Sequence, residues 1–89
     1  MFEEIKKIKL RCDSATPAPW ISSWEGRDHT FGGDSVILRG DKRQYDDLYI
    51  SPCTSADQDF IAHAREDVPA LVDEVLRLRR ILKANGLEV

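Results

Sequence analysis

Residues 68–82 read VPALVDEVLRLRRIL, and this stretch carries the strongest structural pattern in the chain. Apolar residues recur in it at alternating steps of three and four, the heptad spacing of helices that pack on other helices: Val68, Leu71, Val75, Leu78 and Leu82. Three more apolar residues widen the stripe: Val72, Leu76 and Ile81. The stretch predicts a long amphipathic helix that ends near Asn85, because Gly86 suits the left-handed position after a helix.

The width of this apolar stripe has two explanations. In the first, all of it belongs to the core of one chain. In the second, part of it packs on another subunit, because a chain of 89 residues hides only about 60–65% of its unfolded surface. The five heptad residues therefore predict the interface of a compact homo-oligomer, although fewer than three heptads are too few for a free-standing coiled coil.

A shorter helix is predicted just before the long one. Ser55 and Gln58 have the spacing of a capping box. The helix is predicted over residues 56–65, with Phe60, Ile61 and Ala64 on one side. Asp67 can cap a new helix, and Pro69 is tolerated in a first helical turn. The end of the chain is therefore predicted to hold two helices.

The N-terminus predicts a third helix, over residues 2–13. Apolar residues recur there at helical spacing: Phe2, Ile5, Ile8 and Cys12. The helix has to end before Pro17, because the residue before a proline is pushed out of the α region.

The segment 15–54 predicts extended structure. It opens on a Pro-Trp element, in which Pro17 and Pro19 hold the backbone and direct Trp20. Stretches with strand-like composition follow: 20–24, 35–39 and 47–51. Gly26, Gly32 and Gly33 mark the segment 25–34 as a loop.

These elements predict one α+β domain over residues 1–89. It consists of the N-terminal helix (2–13), the Pro-Trp element with a small antiparallel three-stranded sheet (15–54), and a helical part (56–85) of two helices, the last long and amphipathic. Short connections between strands favour the antiparallel arrangement.

Charge and composition exclude several classes of function. Thirteen basic and sixteen acidic residues leave a net charge of −3, which disfavours binding to duplex nucleic acid. Cys12, Cys53, His29 and His63 do not form a zinc-binding pattern, so no metal or cofactor is expected, and the cysteines are expected to be free thiols rather than a disulfide. Neither a signal peptide nor an apolar stretch of about 20 residues is present, so we expect a cytoplasmic protein that does not enter a membrane.

No combination of residues predicts catalysis. No serine or cysteine is placed beside a histidine by the pattern. Neighbouring acids such as Asp46 and Asp47 point to opposite faces of a strand, so they do not share a proton. We therefore expect a protein that is not an enzyme.

Aromatic residues and arginines are interleaved in the central segment, and one more arginine follows at the end of the shorter C-terminal helix. Aromatic faces stack nucleobases and guanidinium groups bind phosphate through two hydrogen bonds. This pattern predicts a pocket for a small nucleotide: Trp20, Trp24, Arg39, Arg43, Tyr45, Tyr49 and Arg65. The alternative is that the tryptophans belong to the core and the arginines to a solvated turn.

Two segments resemble a known family. Residues 15–20, ATPAPW, and residues 56–65, ADQDFIAHAR, followed by DVPALVDEV at 67–75, are similar to motifs of the Ead-type early-region proteins of lambdoid phages and their prophage relatives. Ala18 replaces the glycine usual in that family, and residues 21–54 have no counterpart.

This resemblance implies a phage or prophage origin, a location in the host cytoplasm and a non-enzymatic role. Small accessory phage proteins commonly counteract host defences, and some oligomeric ones sequester nucleotide signals. The sequence thus leads to a phage-type counter-defence protein that binds and sequesters a small nucleotide. The alternative is an inhibitor or adaptor that docks a host protein through its C-terminal helix.

Overall fold

The computed structural model describes residues 2–29 and 34–87. The elements follow the chain as α1 (Phe2–Ser14), β1 (Trp20–Ser23), β2 (Val36–Arg39), β3 (Tyr45–Leu48) and α2 (Ser55–Ala84). The predicted α+β class, the N-terminal helix, the antiparallel three-stranded sheet and the long C-terminal helix are confirmed. Residues 30–33 of the predicted loop, including Gly32 and Gly33, lie outside the described residues.

Helix α1 packs against α2 through one face. Ile5 is its buried residue, and Ile8 and Cys12 lie half-buried on the same side, as the helical spacing predicts. The last turn is closed by Ser14, whose Oγ donates to the carbonyl of Leu10 at 2.7 Å.

The sheet has the order β1-β2-β3, with both pairs antiparallel. Strand β2 is central, and Val36 and Ile37 are buried on it. Because successive residues of a strand point to opposite faces, both faces of β2 are covered at this point. Strand β3 ends at Leu48, earlier than the predicted 47–51, so Tyr49 and Ile50 belong to the loop that follows.

The turn after β2 depends on Gly40. This residue is buried and has a φ of 83°, and a Cβ atom there would lie 2.5 Å from Gln44 Cγ and 2.6 Å from Tyr45 Cδ2. A side chain at position 40 would therefore push the start of β3 away from β2.

The prediction of two C-terminal helices is wrong, because α2 is one helix of 30 residues. Its cap is Thr54, whose Oγ1 accepts from the Asp57 amide at 3.1 Å while the Asp57 carboxylate accepts from the Thr54 amide at 3.2 Å. The capping box therefore lies one residue before the predicted Ser55–Gln58 pair.

Pro69 lies in the interior of α2, where the sequence predicted a new start at Asp67. Proline has no N–H to donate to the carbonyl four residues earlier, which costs about 3 kcal/mol in an isolated helix. Here Pro69 and the buried Val72 line a crevice together with Cys12 of α1. Because tertiary packing supplies most of the stability of protein helices, burial of Val72 beside α1 favours continuation of α2 at this point.

The C-terminus of α2 ends as predicted. Gly86 has a φ of 74°, its amide donates to Lys83 O at 3.0 Å, and the Leu87 amide donates to Leu82 O at 2.9 Å. These two bonds form a Schellman motif, which satisfies carbonyls that the helix end leaves free.

One polar side chain joins α2 to the sheet. Gln58 is fully buried, and its Nε2 lies 2.9 Å from Ser22 Oγ, 3.2 Å from Ser23 O and 3.2 Å from Val36 O. Its two amide hydrogens therefore bind acceptors on both β1 and β2. This contact sets the position of the first turns of α2 on the sheet.

The molecule is elongated, with dimensions of 59 × 24 × 18 Å. A helix of 30 residues is about 45 Å long, so α2 extends well beyond the sheet and its distal half packs on α1. Neither described helix has the length and apolar character needed to cross a membrane.

Candidate functional site

The seven predicted ligand-binding residues fall into three groups. Trp20, Arg39 and Arg65 meet at Thr16, and we call these four residues the Thr16 junction. Trp24 and Tyr49 line a cleft beside the sheet. Arg43 lies in the β2–β3 turn, and Tyr45 opens β3 opposite Arg39.

The Thr16 junction is held together by three hydrogen bonds to one residue. The carbonyl of Thr16 accepts from Trp20 Nε1 at 3.0 Å and from Arg65 Nε at 2.7 Å. Its Oγ1 accepts from Arg39 Nη1 at 3.1 Å. The Pro-Trp element, β2 and α2 therefore converge on Thr16.

Strand pairing places the aromatic and cationic parts of this junction together. Trp20 of β1 lies opposite Arg39 of β2, and cross-strand neighbours lie close enough for their side chains to touch. The guanidinium carbon of Arg39 lies 5.6 Å from the centre of the indole ring, within the range of a cation–π contact. Arg39 Nε also donates to Asp46 O at 2.8 Å, which holds the guanidinium over the ring.

The two arginines of this junction form no ion pair with a described carboxylate, whereas Arg27 and Arg43 do. Arg27 pairs with Asp28 and Asp59, and Arg43 pairs with Asp47. Among residues 2–29 and 34–87, no carboxylate lies within ion-pair distance of Arg39 or Arg65. Since both contact Thr16, two uncompensated positive charges are held near one point, and that point attracts anions.

The pairing of Arg43 makes it a poor phosphate ligand in this state. Its guanidinium donates to both carboxylate oxygens of Asp47, and this pairing raises the pKa of Arg43. Tyr45 is exposed beside it. Tyr45 is the cross-strand partner of Arg39, so it lies next to the Thr16 junction, whereas Arg43 is held at the turn by Asp47.

A cleft of about 500 Å³ separates the loop before β2 from the loop after β3. Trp24 and Tyr49 are its aromatic walls, and Ser35 and Cys53 contribute polar groups. Among the described residues that line it, Asp34 is the charged one and none is basic. The cleft therefore suits an uncharged ring rather than a phosphate.

A second cleft, of about 400 Å³, lies between β1 and the first turns of α2 and shares Trp20 with the Thr16 junction. Its polar lining was not predicted from the sequence: Arg27, Asp59, His63 and Glu66. The position of Asp59 next to the buried Gln58 at the start of α2 is the feature that could have indicated its place in this cleft.

Arg27 and Asp59 form the best-defined ion pair of this cleft. Arg27 Nη1 and Nη2 donate to the two oxygens of Asp59 at 2.8 and 3.0 Å. This hydrogen bonding, together with a bond from Ser22, lowers the pKa of Asp59 to about 2. The pair ties the loop after β1 to α2.

We expect the Arg27–Asp59 pair to stabilise the fold at neutral pH and to lose this effect in acid. The folded-state pKa of Asp59, about 2, lies below the unfolded value of about 3.9, so the stabilisation is complete above about pH 5 and disappears as the pH falls through about 2. The difference in melting temperature between wild type and Asp59→Asn should follow this curve. A difference that is constant from neutral pH to pH of about 2 would contradict this assignment.

The predicted interface residues lie on an uncovered side of α2. Val68, Leu71 and Leu78 are exposed, and Val75 and Leu82 are half-buried. Val72, which borders this stripe, is buried toward α1.

Because α2 is continuous, the apolar stripe extends toward its N-terminus. The heptad spacing also includes Ile61 and Ala64, and we call the complete set the α2 seam: Ile61, Ala64, Val68, Leu71, Val75, Leu78 and Leu82. Phe60 borders the seam and is 75% exposed. The buried residue of α2 that shares the cleft with Trp20 is Ala62.

The described residues contain no cluster of three potential metal ligands. Cys53, one of the two cysteines, donates its thiol to Ile50 O at 3.0 Å. Comparisons of the chain with models of protein families, with curated proteins and with solved structures give no match.

Proposed function

We propose that this chain is a non-enzymatic accessory protein that binds and sequesters a small phosphorylated nucleotide at the Thr16 junction. The observation that supports this proposal most directly is the pair Arg39 and Arg65. Both are anchored to Thr16 beside the Trp20 ring, and neither has a carboxylate partner among the described residues.

The anchoring leaves donors for a ligand. Arg65 uses Nε for Thr16, and Arg39 uses Nε and one Nη, so N–H groups of both side chains remain for phosphate oxygens. Guanidinium groups bind phosphate through paired, charge-assisted hydrogen bonds. Since neighbouring bonds already restrict these side chains, binding requires less additional ordering than it would with free surface arginines.

In this proposal Trp20 supplies aromatic surface for a base at the phosphate site itself, and a second aromatic cleft lies beyond the other end of β1. Trp20 lines the cleft next to α2, and Trp24 and Tyr49 line the cleft beside the sheet. Stacking on such rings contributes about 1–3 kcal/mol per base. Roles for Arg43 and Tyr45 stay predictions, and Arg43 would first have to leave Asp47.

The biological setting that we propose follows the resemblance to the Ead-type phage proteins. The Pro-Trp element and the block at 56–65 carry that resemblance, and the bond from Arg65 to Thr16 joins them. In this proposal a phage or prophage chain acts in the host cytoplasm, where it removes a nucleotide signal used for defence.

Titration calorimetry against a panel of cyclic dinucleotides, cyclic trinucleotides and cyclic ADP-ribose isomers tests this function. We expect one class to bind, and we expect Arg39→Lys and Arg65→Lys to weaken its binding about tenfold or more, because lysine keeps the charge but loses the planar fork. Arg80→Lys, on an exposed part of α2, is the matched control and should bind like wild type. Absence of heat with every member of the panel at high micromolar concentration would reject the proposal.

The alternative function, docking of a host protein, is supported by the exposed α2 seam and Phe60. Two results together would favour this alternative. The wild-type chain would bind no nucleotide, and it would form a stoichiometric complex with a host protein that Leu71→Glu does not form.

A further inference from the structure

We propose that the α2 seam is covered by the same seam of a second copy, in a parallel, in-register, two-stranded coiled coil. This inference concerns assembly and does not rest on the proposed nucleotide binding. It starts from the continuity of α2 through Pro69, which lengthens the seam to three heptads, from Ile61 to Leu82. That length reaches the range in which heptad patterns indicate coiled coils.

The residue types of the seam favour two parallel strands. The first core position of each heptad, a, holds three β-branched residues and one leucine: Ile61, Val68, Val75 and Leu82. The second core position, d, holds Ala64, Leu71 and Leu78. β-branched residues at a with leucine at d favour parallel dimers over trimers and tetramers.

The charges that border the seam favour the same orientation. On one border, the g positions include Asp67 and Glu74; on the other, the e positions include Arg65 and Arg79. In a parallel pair each g position meets the e position of the partner's next heptad, so Glu74 lies beside the Arg79 of the partner subunit, twice by symmetry.

An antiparallel pair would bring like charges together. There g positions face g positions and e positions face e positions, so Asp67 and Glu74 would meet acids while Arg65 and Arg79 would meet arginines. Like charges placed opposite each other disfavour a pairing. In the single chain Arg77 donates to Glu74 at 2.5 and 3.0 Å, and Arg79 lies over the Phe2 ring of α1 at 5.3 Å. The Glu74–Arg77 pair is half-exposed and Phe2 is 46% exposed, so both contacts cost little to rearrange.

Packing within the chain leaves much of the seam open to this contact. Three of its residues are exposed and four are half-buried. Helix α1 covers the side of α2 that carries Pro69 and Val72, and the sheet covers Gln58 and Ala62. Leu71 is 65% exposed in the single chain. Phe60 and Ile81 occupy g positions and are also exposed, so they widen the apolar surface that a second copy would bury.

The mass of the full chain in solution tests the assembly. At micromolar concentration we expect twice the chain mass of 10.1 kDa by sedimentation equilibrium, and the single chain mass for Leu71→Glu and for Leu78→Glu. Both leucines are exposed in the single chain, so circular dichroism should still report folded protein. Leu10→Glu is the matched control, because Leu10 is 65% exposed, as is Leu71, but lies on α1 away from the seam.

A single cysteine tests the orientation. In a background with Cys12→Ala and Cys53→Ser, Leu82→Cys should form an intermolecular disulfide when oxidised glutathione is added, because position 82 meets its own copy in a parallel pair. In an antiparallel pair position 82 lies opposite the region of Ile61, about 30 Å from its copy, and cannot form the bond.

Four outcomes would overturn the proposal. They are a single-chain mass for wild type at high micromolar concentration, a trimer or larger assembly, a dimer that survives both glutamate substitutions, and a dimer in which Leu82→Cys does not cross-link. A monomer that instead binds a host protein through Leu71 would assign the seam to that protein. Calorimetry on Leu71→Glu measures nucleotide binding independently of all these results.

Discussion

Replacing Ile37 by alanine is expected to lower the free energy of unfolding by about 3 kcal/mol. Ile37 is 0% exposed and lies on the central strand, paired with Ser22 of β1 and Leu48 of β3. The substitution removes the side-chain carbons beyond Cβ, so their transfer free energy is lost. It also leaves a cavity that the close-packed side chains of β1, β3 and α2 cannot fill.

Urea denaturation at a fixed protein concentration measures this effect, since stability depends on concentration when chains associate. Ile37→Val should cost about 1 kcal/mol, because it removes one methyl group. Ile21→Ala, in the neighbouring strand at 54% exposure, is the control and should cost less than Ile37→Ala. Equal losses at positions 21 and 37 would show that Ile37 is not at the centre of the core.

Replacing Gln58 by alanine is expected to cost about 2–3 kcal/mol. Its amide donates to acceptors on two strands, and the carbonyl oxygens of Ser23 and Val36 would be left without these donors. A buried acceptor that loses its partner costs about 1–3 kcal/mol, and truncation of a fully buried side chain adds a cavity. Ser22 would lose the same donor.

Gln58→Glu separates hydrogen bonding from volume, because the two side chains have nearly the same size. A carboxylate has no hydrogen to donate, so it would face two carbonyl oxygens as a buried charge, and we expect a loss at least as large as in Gln58→Ala. Gln44→Ala, in an exposed turn, should stay within about 0.5 kcal/mol of wild type. A Gln58→Glu protein as stable as wild type would refute the donor role of this amide.

The Pro-Trp element and the block at 56–65 form one structural unit. The Pro-Trp element supplies Thr16 and Trp20, and the block at 56–65 supplies Arg65, Gln58 and Ala62. Arg65 bonds Thr16, while Ala62 and Trp20 line the same cleft. A change in either motif therefore disturbs the other, although they are far apart in the sequence.

The candidate site was predictable only in its residue types. Interleaved tryptophan and arginine indicated a nucleotide pocket, and strand register then joined Trp20 to Arg39. Arg43 pairs with Asp47 four residues later, a local contact that the predicted pocket did not include. Arg27 and Asp59 are 32 residues apart, so their contact depends on how the loop after β1 folds onto α2.

The N-terminal helix, the antiparallel sheet in outline and the end of α2 at Gly86 were predictable from the sequence alone, because periodicity and capping residues act within a few positions of the chain. The third strand lies at Tyr45–Leu48 rather than at 47–51. Only the tertiary structure decided that α2 continues through Pro69, since this part of the helix packs beside α1. The same contact decided which apolar residues of α2 are buried. Once α1 covers Val72 and the sheet covers Ala62, the seam from Ile61 to Leu82 remains accessible on this helix together with Phe60 and Ile81, because one small sheet and one short helix cannot enclose a helix of 30 residues.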